Sequence, residues 1–108
     1  MTEIPGYLCI RYKDNTPAPE MLRVYSEISA IADKKQEFTA SSISGSNYSI
    51  QVVTLKRSVQ DNPAMLSSAI DLLKNNSKVD YIGSAYKYND NILHFSMGEV
   101  IVKFRQNI

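Results

Sequence analysis

Cys9 and His94 are the only cysteine and the only histidine in the chain. One histidine cannot build a multi-histidine metal centre, and one cysteine cannot close an internal disulfide. Cys9 lies in the apolar run Leu8-Cys9-Ile10 and reads as a small buried hydrophobe. A reactive thiol would want a cation or imidazole beside it. His94 reads as a sheet residue, not a base. Serines are plentiful, but no Gly-x-Ser-x-Gly elbow is present, and Ser44-Gly45-Ser46 is turn chemistry. The four glycines are scattered and form no phosphate-cradling loop. Asp33, Glu37, Asp61, Asp71, Asp80 and Asp90 are dispersed, with no spacing that pairs two carboxylates for acid–base work. The residue types point to a non-enzyme with no metal and no cofactor.

Cations and aromatics alternate at both ends: Arg11-Tyr12-Lys13 and Lys103-Phe104-Arg105. Aromatics on a sheet with basic neighbours are how RNA-recognition modules stack bases. Neither segment carries that module's Gly-aromatic signature, and a net charge of +1 lacks the basic surplus of a nucleic-acid binder. The reading is inward aromatics with long cations reaching out to solvent. The flanks also form a weak repeat, Gly6 to Asn15 against Gly98 to Asn107. It is either a shared amphipathic-strand pattern or the first strand of a further unit. Asn47-Tyr48-Ser49 and Asn75-Asn76-Ser77 are formal glycosylation acceptors and read as turns.

These residues must be positioned by short elements. Tyr7 to Tyr12 predict a first strand after a six-residue lead, with Leu8, Ile10 and Tyr12 on one face and Tyr7, Cys9 and Arg11 on the other. A helix is expected from an N-cap at Thr16 to about Lys34-Lys35, with Leu22, Tyr25, Ile28 and Ala32 as an apolar stripe beside Met21, Val24 and Ile31. Phe38 to Ile43 and Tyr48 to Leu55 predict two strands around a Ser/Gly/Asn turn, joined by a connection over 56–60 to a second helix capped near Asp61-Asn62-Pro63. Met65, Leu66, Ala69, Ile70 and Leu73 form that helix's stripe; Lys74 suits its last turn, and Asn75 and Asn76 break it. Val79 to Tyr86 predict a fourth strand. After the turn Asn89-Asp90-Asn91, two short strands are expected near Ile92–Phe95 and Glu99–Phe104.

The order β-α-β-β-α-β gives an α+β, ferredoxin-like sandwich: an antiparallel sheet with two helices on one face and an extra C-terminal β-hairpin. The expectation is one domain over 1–108, with a core over about 6–88 and extra strands over about 91–105. At 108 residues, 44% hydrophobic and 21% charged, one modest core is affordable. No apolar run reaches the length of a membrane span. The opening residues lack a signal-peptide pattern, so the expectation is either a cytoplasmic protein or a domain separated from its leader.

The segment Ala69 to Ile82 resembles the helix-break-strand stretch of propeptides from subtilisin-like serine proteases. The matching residues are the leucine-bearing helix end, the Asn75-Asn76-Ser77 break, and Val79-Asp80-Tyr81-Ile82 as the Val-acidic-Tyr-aliphatic strand. The resemblance implies a ferredoxin-like fold and a subtilisin-like serine protease as partner, bound in cis or trans as intramolecular chaperone or inhibitor. It also implies a secreted or periplasmic setting. It places protease-binding residues at Tyr86, Tyr88, Asn89, Asp90 and Asn91, with Tyr88 filling an aromatic-preferring pocket by strand addition. The alternatives are a regulatory or ligand-binding ferredoxin-like module, or a structural interaction domain of a larger protein. The cluster Tyr81, Tyr86 and Tyr88 around Gly83-Ser84-Ala85 suits either ordinary sheet packing or an exposed strand that a partner covers.

Overall fold

The computed structural model describes residues 2–13, 16–41, 47–87, 92–97 and 100–105. The elements are β1 (Thr2–Tyr12), α1 (Ala18–Glu27), β2 (Ala32–Ser41), β3 (Asn47–Leu55), α2 (Arg57–Gln60), α3 (Pro63–Lys74), β4 (Val79–Lys87), β5 (Ile92–Met97) and β6 (Val100–Arg105). The fold is α+β. The strands form one six-stranded sheet in the order β2-β3-β1-β4-β5-β6, and every neighbouring pair is antiparallel. Each helical crossover skips one strand: β3 lies between β1 and β2, and β1 lies between β3 and β4. The sheet is longer than a four-stranded sandwich because β5 and β6 continue it past β4. In the repeat, Gly98 to Asn107 therefore contributes β6 to the same sheet as β1.

One face of the sheet carries the main core. Leu8, Ile10 and Tyr12 of β1, with Val53 and Leu55 of β3, pack against Met21, Val24 and Ile28, Val59 of α2, and Ala69 and Leu73 of α3. The alternation of β1 thus falls on the expected side. Within α1 the stripe is narrower than its spacing suggests, since Met21 and Val24 are buried but Leu22 is 57% exposed.

Three local expectations are corrected. The first helix stops at Glu27, not near Lys34-Lys35. Ile28 and Ile31 keep the apolar spacing going, but in a turn, and Ala32 opens β2: Ile31 N and Ala32 N both donate to Ile28 O at 3.0 Å. Lys34 to Glu37 then pair with Thr54 to Gln51, because β3's outer edge needs backbone partners and tertiary pairing overrides helix propensity. Thr16 does not cap α1; its hydroxyl donates to Lys13 O at 2.7 Å, and Pro17 holds the cap position. Asn75 is not left-handed, with φ −85°. The break is made by Asn76, whose Oδ1 accepts from Lys78 N at 2.9 Å as an Asx turn. The Asn62 cap of α3 is present, accepting from Met65 N at 3.4 Å. The connection after β3 includes the four-residue helix α2.

The lead, from Thr2 to Gly6, is also part of a strand. Thr2, Glu3 and Ile4 pair with Lys87, Tyr86 and Ala85. The register then slips between Ile4 and Leu8, leaving Pro5 to Tyr7 out of step with β4. Gly6 makes this possible: its φ is +100°, and a Cβ there would lie 2.9 Å from Gln60 Nε2. Gly6→Ala is expected to lower stability by about 1–2 kcal/mol, chiefly from the backbone, since the end of Gln60 can move aside. Urea unfolding checks this, and Gln60→Ala in the same chain should not restore the midpoint.

The face opposite the helices is buried as well. Cys9, Ile50 and Ala85 are fully covered and Val52 nearly so, and Phe95 of β5 is buried with them. None of these five belongs to the helix core. Cα atoms of β6 come within 8 Å of β2, so the sheet curls until its two ends approach one another. The curl creates a second, smaller core on the concave side. Gly83 and Ala85 lie buried, which favours ordinary sheet packing over a strand left open for a partner.

Candidate functional site

Tyr86 sits in β4 with both neighbours occupied: it pairs with Glu3 of β1 and with His94 of β5. Lys87 is flanked in the same way by Thr2 and Leu93. The β5-side pairing of β4 covers Ala85, Tyr86 and Lys87 among the described residues, and the strand addition expected of this chain falls on the segment beyond Lys87. Tyr88, Asn89, Asp90 and Asn91 lie outside the described residues, between β4 and β5.

The polar side chains gather elsewhere. Arg11 lies on the concave face at one end of the second core, and its side chain is 11% exposed. Its Nη2 meets Asp80 Oδ2 at 2.7 Å. Its guanidinium lies 4.5 Å from the ring centre of Tyr48 on β3 and 5.4 Å from that of Tyr81 on β4. A second register shift assembles this cluster. Arg11 pairs with Tyr81 but Tyr12 pairs with Val79, so Asp80 is out of step and can join Arg11 on the face that Tyr81 shares. Sequence reasoning sent Arg11 to solvent. The signal for burial was its strand face: Cys9 and the paired Ile50 and Val52 are apolar, and a cation among them needs a carboxylate.

On the helix side, a chain of polar groups crosses three strands. The Tyr12 hydroxyl donates to Gln51 Oε1 at 2.8 Å, and Gln51 Nε2 donates to Glu37 Oε2 at 2.9 Å. Lys35 Nζ donates to Glu37 Oε1 at 2.8 Å. Tyr12 and Gln51 are fully buried. Burial pushes the Tyr12 hydroxyl above the usual phenol range, and the nearby Glu37 and Glu27 carboxylates push it further. The Lys35 hydrogen bond, helped by that of Gln51, holds Glu37 below its ordinary value against a smaller opposing effect of burial. The arrangement favours a neutral tyrosine and an ionised carboxylate, a closed structural chain.

Tyr12→Phe leaves Gln51 Oε1 without its buried donor and is expected to cost about 1–3 kcal/mol in denaturant unfolding. Glu37 fixes the acid side. Its depressed folded pKa gives a contribution present above the unfolded carboxylate value, about 4.3, and lost as pH falls through the folded one. Glu37→Gln should therefore flatten the decline of stability below that pH.

Cys9 is fully enclosed, and burial pushes its thiol up to about 12, so it is inert in the closed fold. His94 is half-buried on β5. Lys74, Val79, Asp80, Tyr81 and Ile82 line a groove of about 320 Å³ that is open to solvent and presents both charge signs. Ligand pockets of this volume normally enclose most of their ligand; this groove does not. Among the described residues no group of three His, Cys, Asp or Glu side chains could hold a metal ion, and no helix is long and apolar enough to cross a membrane. No protein-family model, curated protein or solved structure matches the chain.

Proposed function

We propose that the chain is a non-catalytic protein-interaction module, built on a ferredoxin-like sandwich that β5 and β6 extend at one edge. The order β2-β3-β1-β4 with two split crossovers supports the sandwich. One contrast carries the functional reading. The side chains best able to do chemistry, Cys9, Tyr12 and Arg11, are sealed in the two cores, while large apolar side chains stand outward on both longer helices. Leu22 on α1 is 57% exposed and Leu72 on α3 is 47% exposed. Around them lie Glu20, Arg23 and Glu27 on α1 and Asp71 and Lys74 on α3, a rim of both signs. Such a rim can meet a second copy of itself without net repulsion, so the partner chosen is another copy of this chain.

Sedimentation of the full chain over a wide concentration range tests this. The expected result is a mass that rises with concentration in the wild type and stays monomeric in the Leu22→Glu/Leu72→Glu variant, with unfolding little changed because both positions are exposed. A wild type that remains monomeric throughout removes self-pairing through the helices. The protease reading has a separate test. With Cys9, Ile50, Val52 and Ala85 of the concave face already buried, titration with the chain is expected to leave subtilisin activity unchanged; slowing at micromolar concentration would replace the present reading.

A further inference from the structure

The two cores draw on different parts of the chain. Every described member of the helix core comes from β1, α1 and the turn after it, β2, β3, α2, α3 or β4. The concave core depends on β5, through Phe95, and on the approach of β6 to β2. The attachments are also unequal. β4 is paired to β1 from Thr2–Lys87 to Tyr12–Val79, whereas among the described residues β5 is paired to β4 only along Ala85, Tyr86 and Lys87.

We propose that β5 and β6 form a strap that detaches as a unit while the helix core stays folded, baring the strip of Cys9, Ile50, Val52 and Ala85. Detachment breaks the β4–β5 ladder, which among the described residues runs over Ala85 to Lys87, parts β6 from β2 and withdraws Phe95, and it leaves both helices on their own sheet face. Cooperative units that open below the cost of global unfolding often coincide with such supersecondary pieces. Opening converts a module with one outward apolar surface into one with two, on opposite sides of the sheet. This strap is independent of helix-mediated pairing: either can fail while the other stands.

Cys9 is a built-in reporter, because it is the only cysteine and is fully covered in the closed form. The full wild-type chain is treated with a soluble thiol reagent in native buffer at increasing low urea, and backbone amide exchange is followed in parallel. The expected result is Cys9 labelling at least about tenfold faster than global unfolding permits, with a shallower urea dependence. Amides of β5 should open with the same equilibrium as Cys9, while those of Leu8 to Ile10 stay protected up to the global limit. Labelling that tracks global unfolding in rate and urea slope overturns the strap. Rapid labelling with β5 amides still protected overturns it too, since the thiol would then be reached by another route.

Discussion

Asp80→Ala is expected to destabilise the chain by about 3 kcal/mol, far more than Arg11→Met. The asymmetry follows from which charge can escape. Arg11 is pinned between Tyr48 and Tyr81 with a side chain 11% exposed, and a guanidinium cannot shed its proton. Without the carboxylate its charge loses that ion pair and stays largely desolvated, and a ring face contributes only about 0.5–2 kcal/mol. Asp80 is 34% exposed, so once the cation is gone its carboxylate can hydrate. A methionine at position 11 would still pack between the rings. The measurement is the urea midpoint of each single variant and of the double variant, at constant slope. Equal, small shifts for both singles would mean that the pair behaves like a surface ion pair, and the caged-arginine description would go with it.

That cluster also shows what the linear chain could and could not say. Alternation in β1 separated Leu8, Ile10 and Tyr12 from Cys9 and Arg11 correctly, because a strand's period follows directly from its pleat. Asn62-Pro63 announced α3, because an Asx cap with proline behind it is a local signal. The end of α1 was not legible. Ile28, Ile31 and Ala32 satisfy a helical period whether they lie in a helix or in a turn that leads into a strand over the same core, and only the pairing of Ala32 and of Lys34 to Glu37 with β3 decides. Asp80 could be matched to Arg11 only through a one-residue shift between β1 and β4, which no spacing in either strand announces.

The candidate site expected at the end of β4 falls mostly on Tyr88 to Asn91, outside the described residues. Tyr86 is described, and it pairs with Glu3 and His94 because β5 continues the sheet beside β4. Nothing in Ile92 to Phe95 states which strand it will join, since edge pairing is set by long-range register rather than composition. The burial of the concave face follows from the same placement: Cys9, Val52 and Ala85 could equally have faced a partner.

Phe95→Ala should produce the other large effect, a loss of about 3–5 kcal/mol against a total of about 5–15 kcal/mol for a domain of this kind. Phe95 is fully buried, and its ring fills the concave core from a strand held to β4 at only a few described positions. Removing it takes away both transfer energy and packing from a fully buried position. Leu73→Ala in the helix core should cost a comparable amount, about 2–5 kcal/mol, yet the two losses should look different. Leu73 belongs to the unit that holds α3 on the sheet, so its loss lowers the helical and sheet signals together. Phe95 belongs to the strand that covers the opposite face, so its loss should expose Cys9 to thiol reagents before the helical circular dichroism declines. Phe95→Leu, which restores part of the volume, should recover much of the stability and most of the Cys9 protection. Simultaneous loss of thiol protection and helical signal in Phe95→Ala would show that the two cores melt as one, and the chain would then have a single cooperative unit.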